Sequence, residues 1–277
     1  MTTLTRRGLF AGLGAGALGL TLAACSGGSE TILPEQGAQA SAGGLTDLLD
    51  LDQAANAAII VGEAIRRGLR ARAATIALAT ALQESRLYNI DYGDRDSLGL
   101  FQQRASQGWG SEEQIMDPWY SSGAFYDALV QVEGWDSGDI NDVAQSVQRS
   151  GVPDGYAQHE DAGRIWASAL YGYDEAAVTL VDRAEAGTDA DSLMEFVDTV
   201  WGSAVGAARE GTTLTFTAPD SRQGWSLAQL LMCRGSAAGL TGLQAGQATW
   251  TNSSTERAGW QGDTASDATQ VVATLRT

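Results

Sequence analysis

The stretch from Ala73 to Gln83 carries no charge, and Glu84 stands at its end. An uncharged run of alanine, isoleucine, leucine and threonine this long is predicted to form a buried helix over residues 73–84. Helical spacing stacks Ile76, Thr80 and Glu84 on one stripe, flanked by Ala77 and Ala81. Glu84 therefore emerges from a core helix. A carboxyl group held against apolar surface has its charged form disfavoured, so its pKa rises and it keeps a proton at neutral pH, as a general acid must. The simpler reading of the same pattern makes Glu84 the first solvated residue where the helix leaves the core. Fifteen positions on, Gly99 opens the turn Gly99-Leu100-Phe101-Gln102. Together the two features predict a cleft built around a single carboxylate.

Gln83-Glu84-Ser85, then Ser97-Leu98-Gly99-Leu100-Phe101-Gln102, then Asp117-Pro118 resemble the motif series of lysozyme-like lytic transglycosylases. That series is a catalytic Glu-Ser, a Ser-x-Gly-Leu-x-Gln block and an Asp-Pro helix start. The stretch 89–110 is also similar to a block in secreted actinobacterial proteins of that superfamily. The resemblance covers about residues 56 to 170, with its specific motifs between 83 and 118. It implies a helical lysozyme-like domain that binds peptidoglycan glycan strands, with Glu84 as the sole catalytic acid/base and Ser97, Gly99 and Gln102 in the substrate-binding set. The chain departs from the family in one place. The family carries Ala-Tyr-Asn on a later helix, where the tyrosine helps hold the catalytic glutamate, and the nearest region here reads Ala144-Gln-Ser-Val-Gln-Arg-Ser-Gly151. Gln145, Gln148 and Tyr156 are the candidates to stand in, and Tyr156 is also placed with the substrate-binding residues. Trp109, in a glycine-flanked loop, is expected to be exposed as a stacking platform for a sugar ring.

Location is read from the N-terminus. Arg6-Arg7 precede an uncharged Gly, Ala and Leu segment that ends in Leu22-Ala23-Ala24-Cys25. A short basic region, an apolar segment and small residues before a cut site are the layout of a secretion signal. The segment is shorter than the ~20 residues a spanning helix needs. Its end resembles a bacterial lipobox, which implies cleavage after Ala24 and lipid on Cys25, and the paired arginines resemble a twin-arginine export signal. The protein is thus expected on the outer face of the cell membrane, anchored by its lipid. With Cys25 lipidated, Cys233 has no partner for a disulfide and reads as a buried small hydrophobe.

Charge and ligand chemistry exclude several classes. The 17 basic and 34 acidic residues give −17, or −19 once Arg6 and Arg7 leave with the signal. So acidic a chain has no footprint for nucleic acid, and it is repelled by anionic lipid, so a membrane position rests on the lipid anchor alone. His159 is the only histidine, which leaves no zinc set. Asp91, Asp94 and Asp96 lack the spacing of a calcium loop. No metal and no cofactor is expected.

Along the chain, residues 1–24 are the signal, 25–47 a Gly/Ala/Ser-rich flexible tether, and 48–175 a helical lysozyme-like domain. Within it, helices are predicted over 48–69, 73–84, 119–132, 142–149 and 160–170. Residues 176–277 form a small domain that opens with a helical stretch over 175–209. Strand character is expected first at 212–217, then at 240–245, 248–251 and 269–275, with a helix over 225–234. The fold class is α+β. Trp225, Trp250 and Trp260 are either core or a ligand surface, and no catalytic constellation appears in this second domain. Two functions follow: glycan cleavage by Glu84, or a catalytically silent lysozyme-like lipoprotein that grips peptidoglycan. Cys25→Ala is expected to move the protein from the membrane to the soluble fraction and to abolish incorporation of labelled fatty acid. Retention in membranes, with no label in the wild type, would refute lipidation.

Overall fold

A computed structural model describes residues 33–185 and 187–277; the signal, the lipobox and Cys25 lie outside the described residues. In chain order the elements are β1 (Gly37–Ala42), β2 (Leu45–Leu49), α1 (Leu51–Arg66), α2 (Ala71–Ser85), β3 (Ser97–Leu98), β4 (Gln103–Arg104), α3 (Glu112–Ile115), α4 (Pro118–Leu129), α5 (Ile140–Gln148) and α6 (Glu160–Leu170). They continue with β5 (Val178–Val181), α7 (Ala190–Trp201), β6 (Gly206–Glu210), β7 (Thr213–Thr217), α8 (Ser221–Arg234), β8 (Leu240–Ala245), β9 (Gln247–Thr251), β10 (Gln261–Asp263) and β11 (Gln270–Leu275). The class is mixed α+β with antiparallel sheets.

The helices begin where their caps dictate. Asp50 accepts a hydrogen bond from the Gln53 amide at 2.9 Å while Gln53 returns one to Asp50 N–H, a reciprocal capping box that starts α1. Asp117 caps Trp119 N–H ahead of Pro118 in α4, and Asp139 caps α5 so that it starts at Ile140, two residues upstream of the start expected from periodicity. α2 is buried on every side over Ala73–Ala81, the signature of a central helix. Its alanines let α6 approach closely: a Cβ on Gly163 would stand 2.7 Å from the Thr75 carbonyl oxygen.

Three expectations are corrected. Residues 37–49 form a hairpin where a tether was expected. β1 pairs with β2 across Gly43-Gly44 and with β5 on its other side, and its inward face is made of Ala38 and Ala40, both fully buried. The helical expectation for 175–209 gives way to β5, α7 and β6, because Asp182–Asp189 contains no apolar period to continue a helix. The boundary at 175 is not a division of the core either. One continuous cluster runs from Ala38 to Leu275, and residues 33–277 form one compact unit.

α8 joins the two halves. It packs on α1 and α6 and also on β8 and β11, which belong to a six-stranded sheet ordered β10-β9-β8-β11-β7-β6. Buried Gln229 of α8 fastens the connection after α6: its oxygen accepts from Ala177 N–H (2.7 Å) and Val178 N–H (2.9 Å), and its nitrogen donates to the Ala169 (2.6 Å) and Asp174 (3.2 Å) carbonyls. Trp225 and Trp250 are fully buried, and Trp260 packs edge-on against Trp225 at 5.0 Å, so all three serve the core. Gln229→Leu leaves the Ala177 and Val178 N–H groups without the acceptor they share, while the Ala169 carbonyl keeps the Gly172 N–H, and we expect a loss of about 3 kcal/mol in urea unfolding. A change below measurement error would show that the seam contributes nothing.

Candidate active site

Glu84 lies in the last turn of α2, half-buried, where the enclosed helix reaches the surface. Directly after it the backbone turns sharply: Arg86 and Leu87 adopt φ of 55° and 63°, with their N–H groups bonded to the Leu82 and Ala81 carbonyls. Buried Ser85 fixes the facing loop. Its hydroxyl lies 2.8 Å from the Leu100 carbonyl oxygen and 3.1 Å from that of Ala81.

That loop is the hairpin β3–β4, with Ser97 opposite Arg104 and the turn Gly99–Gln102 between the strands. Gly99 has φ of 74°, and a Cβ there would stand 2.7 Å from the Ile115 carbonyl oxygen, so the turn accepts only glycine. Phe101, fully buried, stacks on Phe125 at 4.6 Å. Its carbonyl receives the Gln148 amide at 2.8 Å.

Two side chains act on Glu84. The Tyr156 hydroxyl donates to Glu84 Oε1 at 2.7 Å, and the Gln148 side chain, whose amide donates to the Phe101 carbonyl, favours the charged carboxylate from alongside. Tyr156 is itself fixed from α5. Buried Asn141 accepts from the Tyr156 and Ala157 N–H groups at 3.1 and 3.2 Å and donates to the Pro153 carbonyl at 2.9 Å. Burial raises the Glu84 pKa, while the Tyr156 hydrogen bond and the Gln148 side chain pull it down; burial is the larger effect, and the net shift is upward. Burial and the neighbouring carboxylate push the Tyr156 phenol far above its ordinary range, so it remains a donor at working pH.

Glu84 opens into a groove of about 850 Å³ that Ser97, Gln102, Trp109 and Gln148 also line. Of the expected substrate-binding residues, Ser97 and Gln102 are there, and Trp109 lines the groove half-buried rather than standing clear of it. Gly99 lies behind the hairpin as a structural requirement. Tyr156 is corrected: it is fully buried behind Glu84 and positions the acid instead of meeting substrate. Gln145 turns away to the Ser150 carbonyl. Sequence reasoning missed Asn141 and the groove residues Arg95, Arg104, Gln107, Gln131 and Arg149.

The nearby aspartates differ from one another. Asp96 pairs with Arg104 at 2.7 Å and accepts from Ser106 N–H at 2.8 Å; the Ser106 bonds and then Arg104 hold its carboxyl well below the usual carboxylate range. Asp94 lines the groove and is exposed, and Asp91 is exposed outside it. Among the described residues no group of three or more His, Cys, Asp or Glu side chains could hold a metal ion. A second concavity of about 580 Å³ contains Glu63, but Arg66 and Arg67 engage that carboxylate at 2.7 and 2.6 Å and Arg67 continues to Asp127, so this buried glutamate is committed to ion pairs. Cys233 is buried, with its thiol pushed up to about 12 by desolvation, and is inert.

Backbone strain gathers at the same place. Among the described residues six non-glycine positions have positive φ; Arg86 and Leu87 directly follow Glu84-Ser85, and Arg95, Gln102 and Arg149 line the groove. Such conformations cost about 1–2 kcal/mol each and cluster at functional sites.

No family model matches the sequence of this chain, and no curated protein is similar to it.

A raised carboxyl pKa has a sign that stability can report. The protonated acid suits the folded site, so Glu84 stabilises the fold below its ordinary value of 4.5 and weighs against it as pH rises through the folded value. Glu84→Gln, which cannot ionise, is therefore expected to be more stable than wild type at pH 7, with the difference vanishing below pH 4.5. A variant no more stable at pH 7 would mean that the carboxylate is not penalised by its surroundings.

Proposed function

We propose that this chain is an exported cell-envelope lipoprotein that binds peptidoglycan glycan strands in the Glu84 groove and cleaves them as a lytic transglycosylase. The observation that carries the reading is a desolvated, oriented carboxylic acid opening into an 850 Å³ groove. The departure at residues 144–151 finds an answer in Tyr156, which brings a phenol to the glutamate from a later turn. On this reading the helices around α2 are a lysozyme-like frame, and the C-terminal sheet is packed onto it through α8.

In the proposed reaction the proton on Glu84 passes to the glycosidic oxygen as that oxygen leaves the anomeric carbon. A hydroxyl of the same sugar then bonds to the anomeric carbon and gives its proton to the Glu84 carboxylate, which closes an anhydro ring and restores the acid. Tyr156 stabilises the intervening carboxylate through a hydrogen bond to charge, and the Gln148 side chain favours it from alongside. A two-carboxylate hydrolase is the contrast. Asp96 is committed to Arg104 and Ser106, which leaves Asp94 as the groove carboxylate able to serve that route. The anchor is proposed from the lipobox resemblance; among the described residues no helix is long and apolar enough to cross a membrane.

Muropeptide release from purified peptidoglycan tests the reading, with mass spectrometry distinguishing anhydro from reducing ends. Wild type is expected to yield anhydro ends, and Glu84→Gln to lose roughly 10²-fold or more of the rate while keeping the fold. Reducing ends would assign a hydrolase. A wild type that sediments with peptidoglycan yet releases nothing would make the chain a silent binder on the same frame.

A further inference from the structure

The groove beside Glu84 reverses the charge balance of the molecule. The chain has 34 acidic and 17 basic side chains; the groove takes two of the acids, Glu84 and Asp94, and three of the bases, Arg95, Arg104 and Arg149. Elsewhere 32 acids face 14 bases. The three arginines come from three segments: the loop before β3, strand β4 and the end of α5.

They differ in how far they are committed. Arg104 is held by Asp96 at 2.7 Å and is only 25 % exposed. Arg95 faces Asp94 at 3.8 Å with both side chains largely in solvent, a loose and screened pair. Arg149 is exposed, and its guanidinium has no ion pair or hydrogen bond to any described residue. Both Arg95 and Arg149 sit on left-handed backbone, at φ of 59° and 53°. Arg149 directly follows Gln148, which lies alongside Glu84. Uncommitted guanidinium groups at the edge of a groove suit planar carboxylates, which they bind bidentately. In an otherwise strongly acidic molecule they also provide the local field that lets an anionic ligand approach.

Resting on the glycan-strand reading above, we propose that Arg149 and Arg95 bind carboxylates carried on the strand's substituents, so that the protein selects peptide-bearing peptidoglycan over the same glycan stripped of its stem peptides. Where a stem peptide is attached, the lactyl carboxyl of the sugar is an amide and the sugars are neutral, so the free carboxylates of the intact strand belong to the peptides. The arginines thereby become a specificity element separate from the acid: Glu84 acts on the sugar linkage, and the arginines read what hangs from it.

The test compares binding to two probes prepared from one batch of peptidoglycan, cleared of phosphodiester-linked polymers. One keeps its stem peptides, and the other is stripped by an amidase, with the lactyl carboxylates that this cleavage frees then blocked as amides by carbodiimide coupling to methylamine. Affinities are measured by co-sedimentation in the Glu84→Gln background, which prevents turnover. Peptide-bearing strands are expected to bind about tenfold more tightly, roughly 1.4 kcal/mol, and the preference should shrink as ionic strength rises. Adding Arg149→Gln and Arg95→Gln together should remove the preference and leave affinity for stripped strands unchanged, while Arg149→Lys alone should retain part of it. Equal affinity for both probes overturns the proposal and leaves the glycan reading standing. An equal loss on both probes in the double variant, with an unchanged melting temperature, also overturns it, because the arginines would then contact the sugars. Failure to bind either probe overturns this proposal and the glycan reading together.

Discussion

Burying the middle of one helix, α2, on all sides, and so forcing its charges, Arg72 and Glu84, to its two ends, organises this structure. α6 approaches α2 at backbone distance, with Gly163 set against the Thr75 carbonyl and Ala79. The enclosed segment Ala73–Ala81 tolerates no charge, since an unpaired buried charge costs far more than any single hydrogen bond returns. Glu84 therefore appears in the final turn of α2, half in and half out. Hydrogen bonds to a charged group contribute about 1.5–3 kcal/mol; Tyr156 supplies one, and the Gln148 side chain favours the charged form from alongside. They limit the effect of burial without reversing it, which leaves an acid that is both positioned and reluctant to ionise.

The frame that presents this acid does not end with the helices. β1 and β5 lie in one sheet, separated by more than a hundred residues of helical sequence, and Asp47 of β2 accepts the indole N–H of Trp166 in α6 at 2.7 Å. α8 then closes the far side, with Gln229 satisfying four backbone groups at the seam. The placement of α1 and α6, and through them of α2, depends on residues on both sides of position 175.

Much of the site could be read in the sequence, because it follows from local rules. The uncharged run 73–83 marked α2, Asp117-Pro118 marked the start of α4, and the strand character at 240–245 and 248–251 marked β8 and β9. The 160–170 helix has the bounds its periodicity gave. The β1–β2 hairpin escaped because its buried face is alanine in a stretch rich in small residues, and composition of that kind signals flexibility unless a partner sheet is known. Tyr156 stood only as one of three candidates to hold the glutamate, and nothing local singled it out: it lies 72 positions from Glu84 in an irregular turn set by Asn141, so no periodic signal connects them. The groove arginines were hidden by the arithmetic of the whole chain, where a total of −17 says nothing about where 3 of the 17 positive charges gather.

The ionisation of Glu84 is the most direct measure of the account, and carbon-13 NMR of the labelled carboxyl group reads it without substrate. The structure predicts a midpoint above 4.5 in the wild type and a higher one in Tyr156→Phe, where the charged form loses a donor. A wild-type midpoint at or below 4.5, or one that Tyr156→Phe leaves unmoved, would contradict the claim that α2 delivers a desolvated acid held by Tyr156.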